Sequence, residues 1–190
     1  MSSLSDKDME LAESIIDPVK TMNRAWEMVR SANDEILILF SSANAFARQD
    51  HEGAVELLKE KRANTKDLKI KILVPKNERM EELRLELRRH YIDLKYIQEF
   101  SQTKMTILVV DRTRSLVIEL KNDNTMNTLE AIGHSTCSTR ILTVLSYVSI
   151  FESYWTLSEL HEISINELAS TKEYLDKVIT ELKASKEKLA

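Results

Sequence analysis

The sequence is poor in glycine and proline, with two residues of each among 190. A dinucleotide-binding fingerprint or a phosphate-binding P-loop requires several glycines within one short loop, because the backbone there must approach the phosphates closely. Gly53 and Gly133 each stand alone in their segments. The sequence therefore excludes nucleotide binding of these two kinds.

Cysteine is nearly absent as well, since Cys137 is the one cysteine of the chain and cannot form an internal disulfide. It lies in the segment HSTCST, where no neighbour in sequence would activate a thiol, so we interpret it as a structural residue. The N-terminal segment MSSLSDKDMELAES lacks the basic start and the apolar run of a signal peptide. These features predict a cytoplasmic protein.

Long apolar runs and basic patches are also missing. The most apolar window, residues 141–155, contains three serines and a glutamate and is shorter than the roughly 18 to 20 apolar residues that cross a bilayer. The net charge is −4, and lysine and arginine alternate with acidic residues instead of forming a basic stripe. We therefore expect neither a membrane span nor a nucleic-acid partner.

The chain shows no pattern typical of a metal or cofactor site. Its four histidines, His51, His90, His134 and His161, have no second histidine or cysteine at ligand spacing. The many carboxylates lie mostly on charged helical faces, where exposure to solvent explains them. We expect no metal, no cofactor and no catalytic pair of carboxylates.

The apolar pattern predicts an α/β domain with a mixed sheet. Asp17 and Pro18 are placed to begin a helix, and helical stripes separate the strand-like runs EILILF, KIKILVP and IDLKYI. Residues 104–110 and 115–120 then form a hairpin, which gives the order β-α-β-α-β-β-β-α. From about Arg140 the chain reads as one long helix, and we expect no further strand after the hairpin.

The C-terminal helix carries a leucine repeat that favours a dimer. Leucines recur every seven residues, with a valine at the matching position: Leu168, Leu175, Val178, Leu182 and Leu189. Thr171 and Ser185 also fall in this seam, so we predict a marginal parallel coiled coil. The predicted organisation is an N-terminal arm over 1–16, a domain over 17–155 and a dimerisation helix over 156–190. Residues 141–155 are expected to pack on the domain.

Polar side chains follow the first strand and precede the hairpin, where the topology would place a pocket. Ser41, Ser42 and Asn44 lie at a strand's carboxyl end, which is a common ligand position in such sheets, or they form an ordinary helix N-cap. Both interpretations stay open. The candidate ligand-binding residues are Ser41, Ser42, Asn44, Arg48, Gln102, Lys104 and Thr106.

The order of elements resembles one half of the phospholipase D fold, whose catalytic signature is His-x-Lys-x4-Asp on the hairpin strand. In the segment SQTKMTILVVDR, Lys104 stands in the place of the histidine, Thr106 in the place of the lysine, and Asp111 keeps the aspartate. In that family the histidine is the nucleophile and the lysine binds phosphate. The resemblance therefore implies a degenerate relative without catalytic residues.

Three segments resemble the N-terminal sensor region of archaeal sensor histidine kinases: IIDPVKTMNRAWEMVRSANDEILILFSSANAF, SQTKMTILVVDRTRSLVIELK and VLSYVSIFESYWTLSEL. The resemblance implies a role in a two-component system, with phospho-acceptor and ATP-binding domains following in the parent protein. His161 is followed by Glu-Ile-Ser-Ile instead of Glu-Leu-Arg-Thr-Pro, so no phospho-acceptor role is assigned to it. We expect the chain to be a fragment that ends in the signalling helix.

The combined prediction is a non-catalytic, homodimeric sensor segment in which a small-molecule or anionic ligand, or a partner, shifts the packing of the output helix. Three alternatives stay open. These are a structural dimerisation module without a ligand, an active phosphodiesterase of the phospholipase D type, and the ligand-binding module of a transcription regulator.

Overall fold

The computed structural model describes residues 12–77, 80–99 and 104–188, with side chains up to residue 182. The strands are β1 Ala12–Ile15, β2 Glu35–Phe40, β3 Lys69–Pro75, β4 Ile92–Ile97, β5 Met105–Val110, β6 Arg114–Leu120 and β7 Ile132–Ser138. The helices are α1 Pro18–Arg30, α2 Ala43–His51, α3 Ala54–Asn64, α4 Met80–Arg89, α5 Thr128–Ala131 and α6 Ile141–Lys188.

The strands form one mixed sheet in the order β1-β7-β6-β5-β2-β3-β4. β2, β3 and β4 are parallel, and the other pairings are antiparallel. The predicted mixed α/β architecture with a long C-terminal helix is therefore confirmed. β2 lies in the interior of the sheet, between β5 and β3, which explains why its run EILILF is apolar on both faces and buried along its whole length.

Two strands were not predicted from the sequence. β7 follows the hairpin, where we expected no further strand, and β1 lies inside the segment assigned to the N-terminal arm. Two buried residues of β7, Ser135 and Ser138, have small polar side chains, so the strand has no clear hydrophobic alternation. β1 has four residues of which Ile15 alone is buried. Its pairing with β7 is a long-range contact that local propensity does not reveal.

The first crossover contains two helices instead of one. Gly53 separates α2 from α3 with a φ of 88°, a left-handed conformation that glycine adopts without strain. Ser42 caps α2, and its Oγ accepts a hydrogen bond from the N–H of Ala45 at 3.0 Å. The chain therefore leaves β2 directly into a helix, and the segment SSANAF is not an open loop.

The sheet is buried on both faces. Apolar residues of α1 to α4 join one core cluster with the β2 residues Ile36, Ile38 and Phe40. Leu37 and Leu39 point to the opposite face and are buried too. Val144, Val148 and Phe151 of α6 belong to the same compact unit as the sheet and are buried too, as expected.

The chain divides into two compact units, with the boundary between Tyr154 and Trp155. α6 begins in the first unit and runs through the second as one continuous helix. In the described part of the chain, no helix has the length and hydropathy required to span a membrane.

Candidate functional site

Five of the predicted ligand-binding residues lie at one edge of the sheet, next to a residue that the sequence analysis did not select, Asp123. β5 runs antiparallel to β2, so the start of β5 meets the end of β2. Ser42, Asn44, Arg48 and Lys104 all contact Asp123, which lies between β6 and α5. We call these four residues together with Asp123 the Asp123 cluster.

The Arg48–Asp123 ion pair is the centre of the cluster. Arg48 Nη2 lies 2.8 Å from Asp123 Oδ1, and the two side chains are 2% and 13% exposed. Arg48 Nη1 also donates to the main-chain carbonyl oxygens of Asp123 and Thr125, at 2.9 and 3.0 Å. A buried guanidinium with both terminal nitrogens hydrogen-bonded is fully matched by protein groups. Arg48 is thus committed to an internal partner.

Ser41, Ser42 and Asn44 form hydrogen bonds between the chain segments that meet at the cluster. Ser41 Oγ accepts from the N–H of Met105 at 2.7 Å, which joins the end of β2 to the start of β5. Ser42 Oγ donates to Asp123 Oδ1 at 2.8 Å, and Asn44 Nδ2 donates to the carbonyl oxygen of Asp123 at 3.2 Å. The N-cap interpretation of Ser42 is therefore confirmed, while a role in ligand binding stays a prediction.

Lys104 extends the cluster towards solvent. Its Nζ lies 3.6 Å from Asp123 Oδ2 and 2.5 Å from Glu99 Oε1. The hydrogen bond to Glu99 raises the pKa of Lys104 above its usual value, against the opposing effect of burial, and Asp123 adds to the increase. Lys104 is therefore a cation with two acidic partners.

Within the described residues, Thr106 forms no hydrogen bond or ion pair with Asp123 and lies apart from the cluster. Thr106 is 8% exposed and lines a cavity on the face of the sheet that carries α1 to α3. Thr106 lies on β5, two residues after Lys104, and is opposite Phe40 of β2 and Ile118 of β6. Gln102 lies outside the described residues.

The aspartate of the phospholipase D-like signature, Asp111, lies at the other end of β5. Its carboxylate accepts hydrogen bonds from the backbone N–H groups of Asn33, Asp34 and Glu35 at 2.8 to 3.1 Å. Burial opposes its ionisation, but these three bonds prevail and lower the pKa of Asp111. Its observed contacts hold the start of β2, at a distance of roughly 20 Å along the strand from Lys104.

Cys137 and the leucine repeat were also singled out from the sequence. Burial raises the pKa of the Cys137 thiol, the opposite of what activates a cysteine nucleophile. In the helix, Leu168, Leu175 and Leu182 are exposed and Val178 is half-buried. Leu189 lies outside the described residues. Pairing of these residues with a second chain stays a prediction.

Asp123 was missed because it lies in the polar loop KNDNTMNT, where one acid does not stand out. A signal was nevertheless present in the sequence of α2, since Arg48 lies three residues after the apolar Ala45 and therefore on the same face of the helix. A buried arginine requires an acidic partner, and loops at that edge of the sheet are the places to search for it.

Comparison with known proteins shows the fold. No protein-family model and no curated protein sequence matches the chain. The solved structure of NucT from Helicobacter pylori matches with a TM-score of 0.59 and 9% identity, covering 76% of this chain and 95% of that one. Nuc from Salmonella typhimurium, a phospholipase D family member, gives 0.54 and 11%, covering 76% and 93%. The chain therefore has a phospholipase D-like α/β fold, as expected.

A third similar structure is TrmBL2, an archaeal chromatin protein with a novel mode of DNA binding. It matches with a TM-score of 0.57 and 15% identity over 82% of this chain, and the match spans 56% of the TrmBL2 chain. Our exclusion of a nucleic-acid partner was therefore wrong, since a DNA-binding protein has the same fold. Net charge is a sum over the whole surface, whereas phosphate contacts come from local groups that include backbone N–H donors.

Proposed function

We propose that this chain is a non-catalytic phospholipase D-fold domain that dimerises through α6 and relays a signal along it, as the sensor segment of a histidine kinase. The observation that supports this proposal best is the Asp123 cluster. Arg48 and Lys104 are cations near the start of β5, and both are bound to an internal carboxylate.

An internal carboxylate competes with any phosphodiester for these cations. Asp123 is tethered, so it occupies its position without the entropic cost that a free anion would incur on binding. A phosphate group would have to displace it and leave a carboxylate with 13% exposure unpaired. The cluster is therefore built to hold the fold together and disfavours the binding of phosphodiesters.

The replaced signature residues support the same conclusion. Covalent catalysis requires a nucleophile, and Lys104, protonated and paired with Glu99, is a poor one. Thr106 cannot supply the positive charge of the lysine that it replaces, and Asp111 is engaged by backbone N–H groups elsewhere.

α6 has a direct connection to the sheet, as a relay requires. Arg112, in the turn between β5 and β6, donates from Nε to Glu35 Oε2 at 2.7 Å and from Nη2 to Glu152 Oε1 of α6 at 2.6 Å. A displacement of the strands around β2 would therefore be transmitted to α6 through Arg112. A marginal seam, with Thr171 among its leucines, would allow two arrangements of similar energy.

The dimer is tested by sedimentation equilibrium of the purified chain. We expect a reversible dimer that Leu175→Glu converts to a monomer, because the substitution places a charge in the apolar seam. Ile179→Glu is the matched control, since Ile179 is exposed on the same helix but lies outside the seam. A monomeric wild type, or equal effects of the two variants, would refute dimerisation through this repeat.

The kinase context is supported by the three segments that resemble sensor kinases and is tested on the gene. We expect the reading frame to continue beyond Ala190 into a phospho-acceptor helix and an ATP-binding domain. A stop codon at that point would instead favour a dimerisation module that acts alone.

DNA binding is a second candidate function, favoured by the similarity to TrmBL2. Fluorescence anisotropy with a labelled DNA duplex distinguishes the two. Saturable binding that weakens steeply with added salt would support DNA binding, because counterions are released on phosphate contact. No saturable change at low salt would leave the relay function as the better account.

A further inference from the structure

A partly open, mostly apolar cavity of about 70 Å³ lies between the sheet and the helices α1 to α3. Its sheet side is formed by residues such as Ile38, Thr106 and Leu108, and Ala54 of α3 contributes to its helix side. It belongs entirely to the first unit of the chain and is separate from the solvent-facing part of the Asp123 cluster. Well-packed interiors contain few spaces larger than a water molecule, so this cavity requires an explanation.

Two polar atoms at the cavity have no hydrogen-bond partner among the described residues. They are the indole Nε1 of Trp26, on α1, and the hydroxyl Oγ1 of Thr128, on α5. Both atoms are buried, and Thr128 as a whole is 2% exposed. Leaving such a group unpaired in the folded protein is energetically unfavourable, because the group loses its hydrogen bonds to water. Each atom therefore favours an occupant that brings an oxygen into the cavity.

The lining defines the chemistry of that occupant. The indole N–H can only donate, whereas the threonine hydroxyl can donate or accept, so an oxygen atom of the occupant is a suitable partner for either group. Arg48 also borders the cavity, but its guanidinium is bound to Asp123, so no cation among the described lining residues is left to hold an anion. A charged ligand is disfavoured, because the remaining walls are mainly apolar.

We propose that this cavity is a binding site for a small, uncharged, mainly apolar molecule with one oxygen, such as a short alcohol or ketone. An apolar cavity of about 150 Å³ accommodates benzene. This cavity has about half that volume, so the occupant is smaller than benzene. The proposal does not depend on dimerisation or on signal relay. If the chain is a sensor, however, the chemistry of this site indicates the class of molecule that it senses.

The test is a titration of the ¹⁵N-labelled full chain with 2-propanol, followed by NMR. The chain has two tryptophans, so the spectrum contains two indole N–H resonances, and Trp155→Phe identifies the one that belongs to Trp26. We expect the Trp26 resonance to shift saturably, because its N–H gains an acceptor. The Trp155 resonance is the internal control, since this indole already donates to Glu159 at 2.9 Å.

Two variants separate specific binding from general solvent effects. Ala54→Leu fills the cavity and should abolish the saturable shift, whereas Ala63→Leu, the same change at an exposed position of α3, should leave it intact. Thr128→Val removes the hydroxyl at nearly constant volume and should weaken binding by up to about tenfold. If Ala54→Leu does not fold, Ala25→Val fills the same cavity from α1.

The proposal is overturned if the Trp26 resonance does not shift saturably up to the highest 2-propanol concentration at which the chain stays folded. It is also overturned if the folded cavity-filling variant responds like the wild type. In either case ordered water is the occupant that satisfies Trp26 and Thr128. Neither result affects the dimer, which sedimentation measures independently.

Discussion

Asp123 is the side chain on which the interpretation of the site depends. Asp123→Asn removes the negative charge but keeps the size of the side chain, and it leaves Arg48, 2% exposed, without an anionic partner. We expect the free energy of unfolding to fall by about 3 kcal/mol, because breaking a buried ion pair strands the remaining charge.

Urea denaturation measures this loss, and Asp93→Asn, at an exposed position of the edge strand β4, is the matched control. The control should change the free energy of unfolding by no more than about 0.5 kcal/mol. Equal effects of the two variants would show that the ion pair does not hold the cluster together.

Asp111 predicts a specific dependence of stability on pH. Because its pKa is lower in the folded protein than in the unfolded chain, its contribution is complete above the ordinary aspartate value of about 4. The contribution is lost as the pH falls through the lower, folded pKa. The wild type should therefore be more stable than Asp111→Asn at neutral pH, and the difference should shrink below about pH 4. Urea denaturation of both proteins at several pH values measures this difference, and a difference that stays constant with pH would contradict the assigned role.

Single residues were only partly predictable from the sequence. Ser42 and Arg48 could be selected because strand ends and helix caps are local features that a sequence displays. Asp123 could not, since its main partner, Arg48, is 75 positions away and its own loop is polar throughout. The Arg48–Asp123 ion pair is thus determined by the fold and not by a sequence motif.

The secondary-structure elements show the same division. Apolar runs in the sequence predict β2 and β3. Two β-rich runs close together predict the hairpin of β5 and β6. β1 is short, and β7 contains small polar residues. Both strands are stabilised by pairing within the sheet, β7 with β6 and β1 with β7. Their position was therefore not accessible to a reading of local periodicity.

Two neighbouring isoleucines test whether β1 is part of the folded sheet. Ile15 is 4% exposed and Ile16 is 79% exposed. We expect Ile15→Ala to lower the free energy of unfolding by about 2–4 kcal/mol through loss of buried contacts. Ile16→Ala should have an effect within about 0.5 kcal/mol. Comparable losses from both substitutions would show that the strand does not bury Ile15.

The molecule as a whole combines a phospholipase D-like body with a helix that continues far beyond the sheet unit in sequence. The body was predictable as a fold because its order of strands and helices is distinctive. Its use is less apparent, since the same fold occurs in a phospholipase D family member and in a DNA-binding chromatin protein. The side chains at the edge of the sheet are therefore the better guide to function.

The most direct test of the central claim is the hydrolysis of bis(p-nitrophenyl) phosphate by the purified 190-residue chain. We predict a rate equal to that of buffer alone for the wild type and for Lys104→Ala, because the cations are held by Asp123 and Glu99 and no nucleophile replaces the missing histidine. Turnover by the wild type that Lys104→Ala abolishes, with both proteins equally folded, would contradict the claim that this domain is non-catalytic.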